Sequence, residues 1–184
     1  MAKTYFQKAY KFDDKKEAFV IEVSLDDYND VYDDWDPSPF KKRDIEDEFN
    51  EFIVNSSEDI PFKYSIMLNL YIPEGKKNTD KETALVAAYK NFYSYALSRL
   101  NKSKSNLNRK NFLYLVLSVF FLTGGFFFRE VNLFFKILQE GIFIGGWVFL
   151  WEFFTNVFIS KRELQKEYKL YKRLYHSDIR FIYY

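Results

Sequence analysis

Hydrophobic and polar positions in the first part of the chain alternate with the periods of a small mixed domain. Residues 17–25 (EAFVIEVSL) are rich in β-branched and aromatic side chains and predict a strand. In residues 44–54, Asp44 can cap a helix whose apolar side chains recur at i, i+4, i+7 and i+8. Residues 62–72 alternate between inward and outward positions, which predicts a half-buried strand that ends at Pro73.

A long helix is predicted after this strand. Thr79 and Glu82 have the spacing of a capping box at its start. No proline or glycine lies between Thr79 and Lys110, so one continuous stalk helix should lead into the apolar residues that follow.

Two apolar segments are long enough to be transmembrane helices. Residues 111–128 carry no charge, and residues 141–160 carry one, Glu152. A helix needs about 20 apolar residues to cross a bilayer. The amphipathic residues 129–140 can lie in the interface plane. The alternative, a buried hairpin in a soluble core, is disfavoured because cations flank both segments.

We therefore predict a membrane α+β protein, with a two-helix transmembrane hairpin and a small cytosolic α/β domain. Strand, helix and strand within residues 17–72 suit a right-handed crossover, and residues 179–184 (IRFIYY) predict a strand that joins the same sheet. The predicted divisions are the cytosolic domain (1–78), the stalk helix (79–110), the first span (111–128), an extracytoplasmic interfacial loop (129–140), the second span (141–160), and a basic helix with the terminal strand (161–184).

Charge predicts the orientation in the membrane. Residues 99–110 hold five basic residues and no acidic one, and residues 161–173 hold six basic against two acidic residues. The positive-inside rule then places both termini in the cytosol, for a multi-pass protein of the inner or plasma membrane. We expect the basic residues to bind anionic lipid headgroups rather than nucleic acid. They are Arg99, Lys102, Lys104, Arg109, Lys110, Lys161 and Arg162.

Glycines gather at the predicted outer end of the hairpin. They are Gly124 and Gly125 in the first span and Gly141, Gly145 and Gly146 in the second, including one Gly-x-x-x-Gly pair. Small residues let helix backbones approach closely in lipid. This contact can lie within the hairpin, between copies in a homo-oligomer, or in both places.

Glu152 is the one charge inside the spans. Counted from Gly141, it lies about 16 Å into the bilayer, where an ionisable group is costly unless it is paired, protonated or wet. Ser118 and Asn156 are candidate partners. This predicts an intramembrane polar site that binds a proton or ion, or that joins copies of the chain. In the alternative, the helix is shifted and Trp151 and Glu152 meet the inner interface.

Composition excludes several chemistries. The chain has no cysteine and a single histidine, His176, so disulfides, thiolate catalysis and multi-histidine metal sites are excluded. Six aspartates in residues 26–36 could bind a hard cation, but they lack the EF-hand spacing and favour a solvated loop. No phosphate-binding loop or nucleophile elbow is present. We predict no catalytic, cofactor-binding or metal-binding residue, and no enzyme activity.

Two motifs carry a resemblance. They are DPSPF at residues 36–40, followed by Arg43 and Asp44, and EGIFIGGWVFLW at residues 140–151. Together they resemble a family of uncharacterised prokaryotic membrane proteins with a small N-terminal domain, a helical hairpin and a basic tail. The resemblance covers most of the chain and implies this layout, but it brings no known activity and assigns no residue a role.

Two functions remain open at this point. The first is a non-enzymatic, oligomerising membrane scaffold or adaptor, whose cytosolic domain binds a protein partner. The alternative is a membrane effector or channel subunit that is gated by its cytosolic domain. The oligomeric state and the environment of Glu152 together distinguish them. A dimer with Glu152 at the headgroups favours the scaffold, and a larger ring with Glu152 lining a path favours the pore.

Overall fold

The computed structural model describes residues 5–33, 36–37, 44–127 and 132–184. Outside these ranges lie Asp34 of the acidic run, most of the DPSPF motif with Arg43, and residues 128–131 between the predicted spans. The chain divides into two compact units, Met1–Ser98 with Tyr168–Tyr184, and Arg99–Glu167.

The secondary structure is a mixture of helices and short strands. In chain order the elements are α1 (Tyr5–Ala9), β1 (Lys11–Asp13), β2 (Ala18–Ser24), α2 (Asp47–Asp59), β3 (Ser65–Ile72), α3 (Thr79–Gly125), α4 (Leu133–Thr155), α5 (Lys161–His176) and β4 (Asp178–Tyr183). Two 3-10 turns cover Tyr28–Val31 and Glu74–Lys76, and a π-helical turn, Asn156–Ser160, joins α4 to α5. The fold is therefore a mixed α+β fold.

The first unit contains a four-stranded sheet in the order β1-β2-β3-β4. β1 is antiparallel to β2, whereas β2, β3 and β4 are parallel. In the register, Leu68 of β3 lies between Ile21 and Ile179. The strands predicted near residues 17–25, 62–72 and 179–184 are thus present, and the last of them joins the sheet beside β3.

The core lies on one face of this sheet. The inward side chains of β3 are those predicted from the alternation, and each is at most 5% exposed: Ile66, Leu68, Leu70 and Ile72. α2, the first part of α3 and the end of α5 cover them with buried side chains, namely Phe49, Ile53, Leu85, Tyr89, Leu170 and Leu174. Burial of these side chains supplies the main favourable free energy of folding in this unit.

Both predicted caps differ from the observed ones. α2 begins at Asp47, because Glu46 accepts a hydrogen bond from Phe49 N (3.1 Å), while Ile45 is held in a β-bridge. Asp44 instead accepts from Ile45 N. Because Ile45 is paired in this bridge, it cannot take the helical conformation of a first helical residue, so the helix starts downstream of it.

At the start of α3, the predicted capping box of Thr79 and Glu82 is absent. Asn78 Oδ1 accepts from the backbone N–H groups two and three residues ahead, at 3.0 and 3.1 Å. The Glu82 carboxylate accepts a hydrogen bond from Tyr183 of β4 instead. The contact with Tyr183 therefore engages the Glu82 side chain that a capping box would use.

The second unit contains the end of α3, α4 and the start of α5. α3 runs without interruption from Thr79 to Gly125. α4 begins at Leu133, so the segment predicted as an interfacial loop is helical from that residue and continues through Gly141. The continuous helix Leu133–His176 includes an 18-residue stretch of mean hydropathy 1.6 and is long and apolar enough to cross a membrane.

Candidate functional site

The end of α3 packs against α4 along a line of small and polar residues, here called the seam. Its buried members are Asn111, Ser118 and Gly125 on the α3 side and Gly146 and Asn156 on the α4 side. The three α3 residues are spaced by seven, the repeat of a helix that keeps one face against a partner. The small residues of the seam leave room for bulky side chains of the facing helix, such as Phe143 and Leu122.

Two glycines permit the closest approach in the seam. A Cβ atom at Gly125 would lie 2.8 Å from the Phe143 ring, and one at Gly146 would lie 2.7 Å from Leu122 Cγ. Both distances are shorter than van der Waals contact, so these positions require glycine unless the neighbour moves.

The other three predicted packing glycines have more space around them than Gly125 and Gly146 do. A Cβ atom at Gly145 would meet the Phe121 ring at 3.4 Å, which is ordinary contact. Gly124 and Gly141 have no such neighbour within 4 Å. Close packing in this unit therefore concerns Gly125 and Gly146 in particular.

The seam carries unsatisfied polar atoms at one end. Asn111 lies eleven residues before Leu122, and Asn156 lies ten residues after Gly146, so both amides stand about 15 Å from that contact and at a similar level. Asn111 Oδ1 and Asn156 Nδ2 are buried without a hydrogen-bond partner. A buried unsatisfied amide atom costs about 1–3 kcal/mol.

The opposite end of the seam is capped. Gln139 Nε2 donates to the carbonyl oxygen of Gly125 at 2.9 Å, which satisfies one of the free acceptors at the end of α3. Asn132 Oδ1 accepts from Phe135 N and caps the start of α4. These two bonds fix where α3 ends and where α4 begins.

The structure does not join Glu152, Ser118 and Asn156 by hydrogen bonds. Ser118 Oγ donates to Leu115 O of its own helix at 2.8 Å. Asn156 Oδ1 accepts from Ser160 Oγ at 3.3 Å. The side chain of Glu152 is partly exposed and lies beside the seam rather than in it.

Glu152 lines a shallow groove of about 370 Å³ on the outer surface of α4. The other residues of the groove are apolar or aromatic: Ile144, Trp147, Val148, Leu150, Trp151 and Phe154. Trp147 and Trp151 are 64% and 73% exposed. The sequence prediction names Trp151 only as a neighbour of Glu152 and does not include Trp147, although the two tryptophans share a helix face at i and i+4.

The predicted lipid-binding residues lie on α3 and α5. All are exposed except Lys161, which is half-buried: Arg99, Lys102, Lys104, Arg109, Lys110, Lys161 and Arg162. The Lys110 ammonium lies 5.3 Å from the centre of the Tyr114 ring, a cation–π distance.

In the first unit, the acidic run forms internal ion pairs. Asp27 contacts Lys76 at 3.0 Å and Lys81 at 3.4 Å, and the bond to Lys76 holds the pKa of Asp27 below its ordinary value. Asp30 accepts from the backbone N–H groups of Asp26 and Asp27. Among the described residues, no group of three or more carboxylates or histidines is arranged to hold a metal ion.

A tyrosine–carboxylate cluster lies beside these ion pairs. Tyr183 of β4 donates to Glu82, and Tyr28 Oη lies 3.4 Å from Tyr183 Oη. Burial raises the pKa of Tyr183, and its bond to Glu82 raises it further. Asn78 N donates to Tyr28 Oη at 3.2 Å. The cluster ties the last strand to the start of α3, so these polar groups bond one another.

A surface groove of about 720 Å³ lies beside α1 and β1. Aromatic side chains line it, including Phe12, Phe19 and Tyr64, and its charged residues are Lys8, Lys11 and Glu22. Glu22 accepts from Tyr71 Oη at 2.6 Å and from Lys11, and the tyrosine bond holds the pKa of Glu22 below its ordinary value. This volume is within the range of ligand and peptide pockets.

Two half-buried cations cap helix ends, and sequence reasoning does not single them out. Arg173 donates to the carbonyl groups of Ser57, Ile60 and Tyr64 near the end of α2, at 2.8–2.9 Å. Lys90 donates to carbonyl groups at the end of α5. Arg173 lies between Leu170 and Leu174 on α5, but only the tertiary structure shows which carbonyl groups accept its hydrogen bonds.

The paired helices have inverted polarity, which means that apolar side chains cover their outside and small or polar residues lie at their contact. Large apolar side chains cover their outside, including Phe112, Phe120, Trp147, Trp151 and Phe158, each more than 60% exposed. A water-soluble hairpin would bury such residues and expose its polar ones. No protein-family model, curated protein or solved structure matches this chain.

Proposed function

We propose that this protein is an integral membrane scaffold or adaptor, anchored by the α3–α4 hairpin, whose small α+β domain binds a protein partner in the cytosol. The inverted polarity of the paired helices carries the proposal. In lipid, acyl chains solvate the apolar outside, and helix pairing depends on close backbone approach such as that at Gly125 and Gly146.

The sheet topology supports an even number of membrane crossings. β3 precedes the apolar helices and β4 follows them, yet the two strands pair in one sheet. Both therefore lie on the same side of any membrane that the helices cross. One crossing would separate them, whereas a hairpin returns the chain to its starting side.

The dimensions also fit a bilayer. From Lys110 to Phe127, α3 and its last turn rise about 25 Å, close to the roughly 30 Å of a hydrocarbon core. The Gly146–Leu122 contact puts Lys110 near the level of Phe158, three residues before Lys161. Basic residues of both helices then meet at one headgroup layer, as the positive-inside rule expects of the cytosolic side.

The proposal favours binding over catalysis for the cytosolic domain. Its charged clusters, such as those around Asp27 and Glu82, are occupied by internal bonds. The groove beside β1 leaves aromatic surface available, with Phe12 44% exposed. We therefore assign the partner contact to this groove.

Topology can be tested with single cysteines, because the chain has none of its own. Asn132→Cys at the hairpin tip should react with a membrane-impermeant maleimide in intact cells. Ser103→Cys, an exposed position on α3, should react only after permeabilisation. Labelling of both cysteines from the same side, or release of the protein by alkaline carbonate, would refute the hairpin anchor.

A channel subunit is the second candidate, and the position of Glu152 favours it. By the Gly146–Leu122 contact, Glu152 lies at the level of Val116, about 9 Å from the level of Lys110. A carboxyl at that depth could line a pore in a ring of subunits. Ion flux through reconstituted vesicles that Glu152→Gln abolishes would support the channel, and absence of flux in the wild type would reject it.

A further inference from the structure

One face of α4 combines apolar side chains with polar atoms that lipid cannot satisfy. Ile144, Trp147, Val148 and Trp151, here called the tryptophan face, recur at i, i+3, i+4 and i+7 and are 55–73% exposed. Trp151 lies about 140° around the helix from Gly146, so this face points away from the seam. Glu152 borders it in the same groove.

The tryptophan face lies within the hydrocarbon layer of the proposed membrane. Relative to the Gly146–Leu122 contact, Trp147 lies about 16 Å from the level of Lys110, and Trp151 about 10 Å. Trp151 and Glu152 are therefore too deep for the headgroup layer, where interfacial tryptophans usually lie. The indole N–H and the carboxyl must find hydrogen-bond partners among protein groups.

Within the described residues of the hairpin, neither the Trp151 indole N–H nor the Glu152 carboxyl has a hydrogen-bond partner. Trp151 and Glu152 are adjacent on the helix and point about 100° apart, so they do not face each other. Ser118 Oγ donates to Leu115 O, and Asn156 Oδ1 accepts from Ser160 Oγ. Asn156 Nδ2 has no hydrogen-bond partner, so it does not bond Glu152 either.

We propose that the tryptophan face is the contact surface for a second copy of this chain, with the Trp151 indole of each copy donating to the Glu152 carboxyl of the other. This inference rests on the proposed membrane insertion. A donor and an acceptor on one face are self-complementary, which is what a two-fold symmetric interface requires. Acyl chains could cover the apolar surface, but they cannot bond either group.

Cysteine cross-linking in native membranes tests the interface. Val148→Cys lies on the tryptophan face, and Val116→Cys is a matched control on the outside of α3; the two valines are 55% and 47% exposed. Oxidation should link two copies through Val148→Cys and not through Val116→Cys. Equal linking of both, or of neither, would overturn the proposal.

The hydrogen bonds are tested in the Val148→Cys background. Trp151→Phe keeps an aromatic ring and removes the donor, and Glu152→Leu removes the acceptor. Each substitution removes both bonds of the symmetric pair. One interhelical hydrogen bond in lipid is worth about threefold to thirtyfold, so each variant should lower cross-linking about eightfold to several hundredfold. Glu152→Gln keeps an acceptor and should retain most of the cross-linking. Cross-linking that is unchanged in both Trp151→Phe and Glu152→Leu would refute the proposed hydrogen bond.

Failure of this inference is distinguishable from failure of the membrane anchor. Protein that resists carbonate extraction and is labelled outside at Asn132→Cys, but that does not cross-link at Val148→Cys, rejects the second-copy interface alone. Protein that carbonate releases rejects the anchor, and the interface with it.

Discussion

Arg173 offers a quantitative test of how the first unit is held together. Its guanidinium donates to Ser57 O at 2.9 Å, Ile60 O at 2.8 Å and Tyr64 O at 2.9 Å. Burial lowers the pKa of Arg173 to about 10, so the group stays charged at neutral pH. One side chain of α5 thus satisfies carbonyls at the end of α2 and in the segment leading to β3.

Arg173→Met keeps the apolar length of the side chain and removes every guanidinium donor. A hydrogen bond to a charged group contributes about 1.5–3 kcal/mol, and carbonyls left unpaired add a penalty, so we expect a loss of about 3–5 kcal/mol of unfolding free energy. Arg173→Lys keeps the charge but not the planar fork, and it should lose about half as much.

Thiol labelling in the full-length protein measures this loss. Ala88→Cys, at a position only 1% exposed, provides a reporter in a chain that otherwise lacks cysteine. Its labelling rate under native conditions reports the opening free energy. Arg173→Met should raise that rate about a hundredfold to several thousandfold.

The control is Lys172→Met, which removes an exposed cation from the neighbouring position of the same helix. It should leave the rate of Ala88→Cys labelling within about twofold of the parent. If Arg173→Met labels no faster than Lys172→Met, the carbonyl bonds do not stabilise the domain and the reasoning fails.

Three further predictions concern other parts of the chain. Gly146→Ala places a methyl group against Leu122 and should lower the thermal stability of the detergent-solubilised helices by about 1–3 kcal/mol. Gly141→Ala meets no neighbour and should leave this stability unchanged; circular dichroism during heating measures both variants. Because Lys76 lowers the pKa of Asp27 below 3.8, this carboxylate contributes stability above that pH and loses it as the pH falls through the folded-state pKa. Asp27→Asn should therefore flatten the loss of stability between about pH 5 and pH 3 in acid titrations, and an unchanged slope would contradict the ion pair. Asn111→Leu replaces a buried amide whose oxygen has no partner and should be neutral or stabilising in the same heat assay; a large loss would reveal a bond that the structure does not contain.

The sheet was accessible to sequence reasoning because its strands carry strong local patterns. The alternation over β3 identifies the inward residues Ile66 to Ile72, and the lack of glycine and proline identifies α3 as continuous. β1 has only three residues and gives no periodic signal. The starts of α2 and α3 depend on a bridge at Ile45 and on a contact between Glu82 and Tyr183, which no local pattern encodes.

The hairpin could be predicted less completely. A cluster of five glycines indicates close packing, but which of them meet a neighbour depends on the rotation and register of two helices. Gly125 and Gly146 lie against side chains, while Gly124 and Gly141 do not. The same register sets the level of Glu152 relative to the residues of α3. Arg173 was missed for a related reason, because its partners are backbone atoms about a hundred residues away.

The parallel pairing of β3 with β4 also orders events during synthesis. β4 is translated after α4, so the sheet lacks its last strand while the apolar helices are being made. Until then, β3 presents an unpaired edge that other chains or chaperones could bind. In the proposed topology, the α+β domain closes only after both helices have been inserted and the ribosome has reached Tyr183, so completion of the domain would follow insertion.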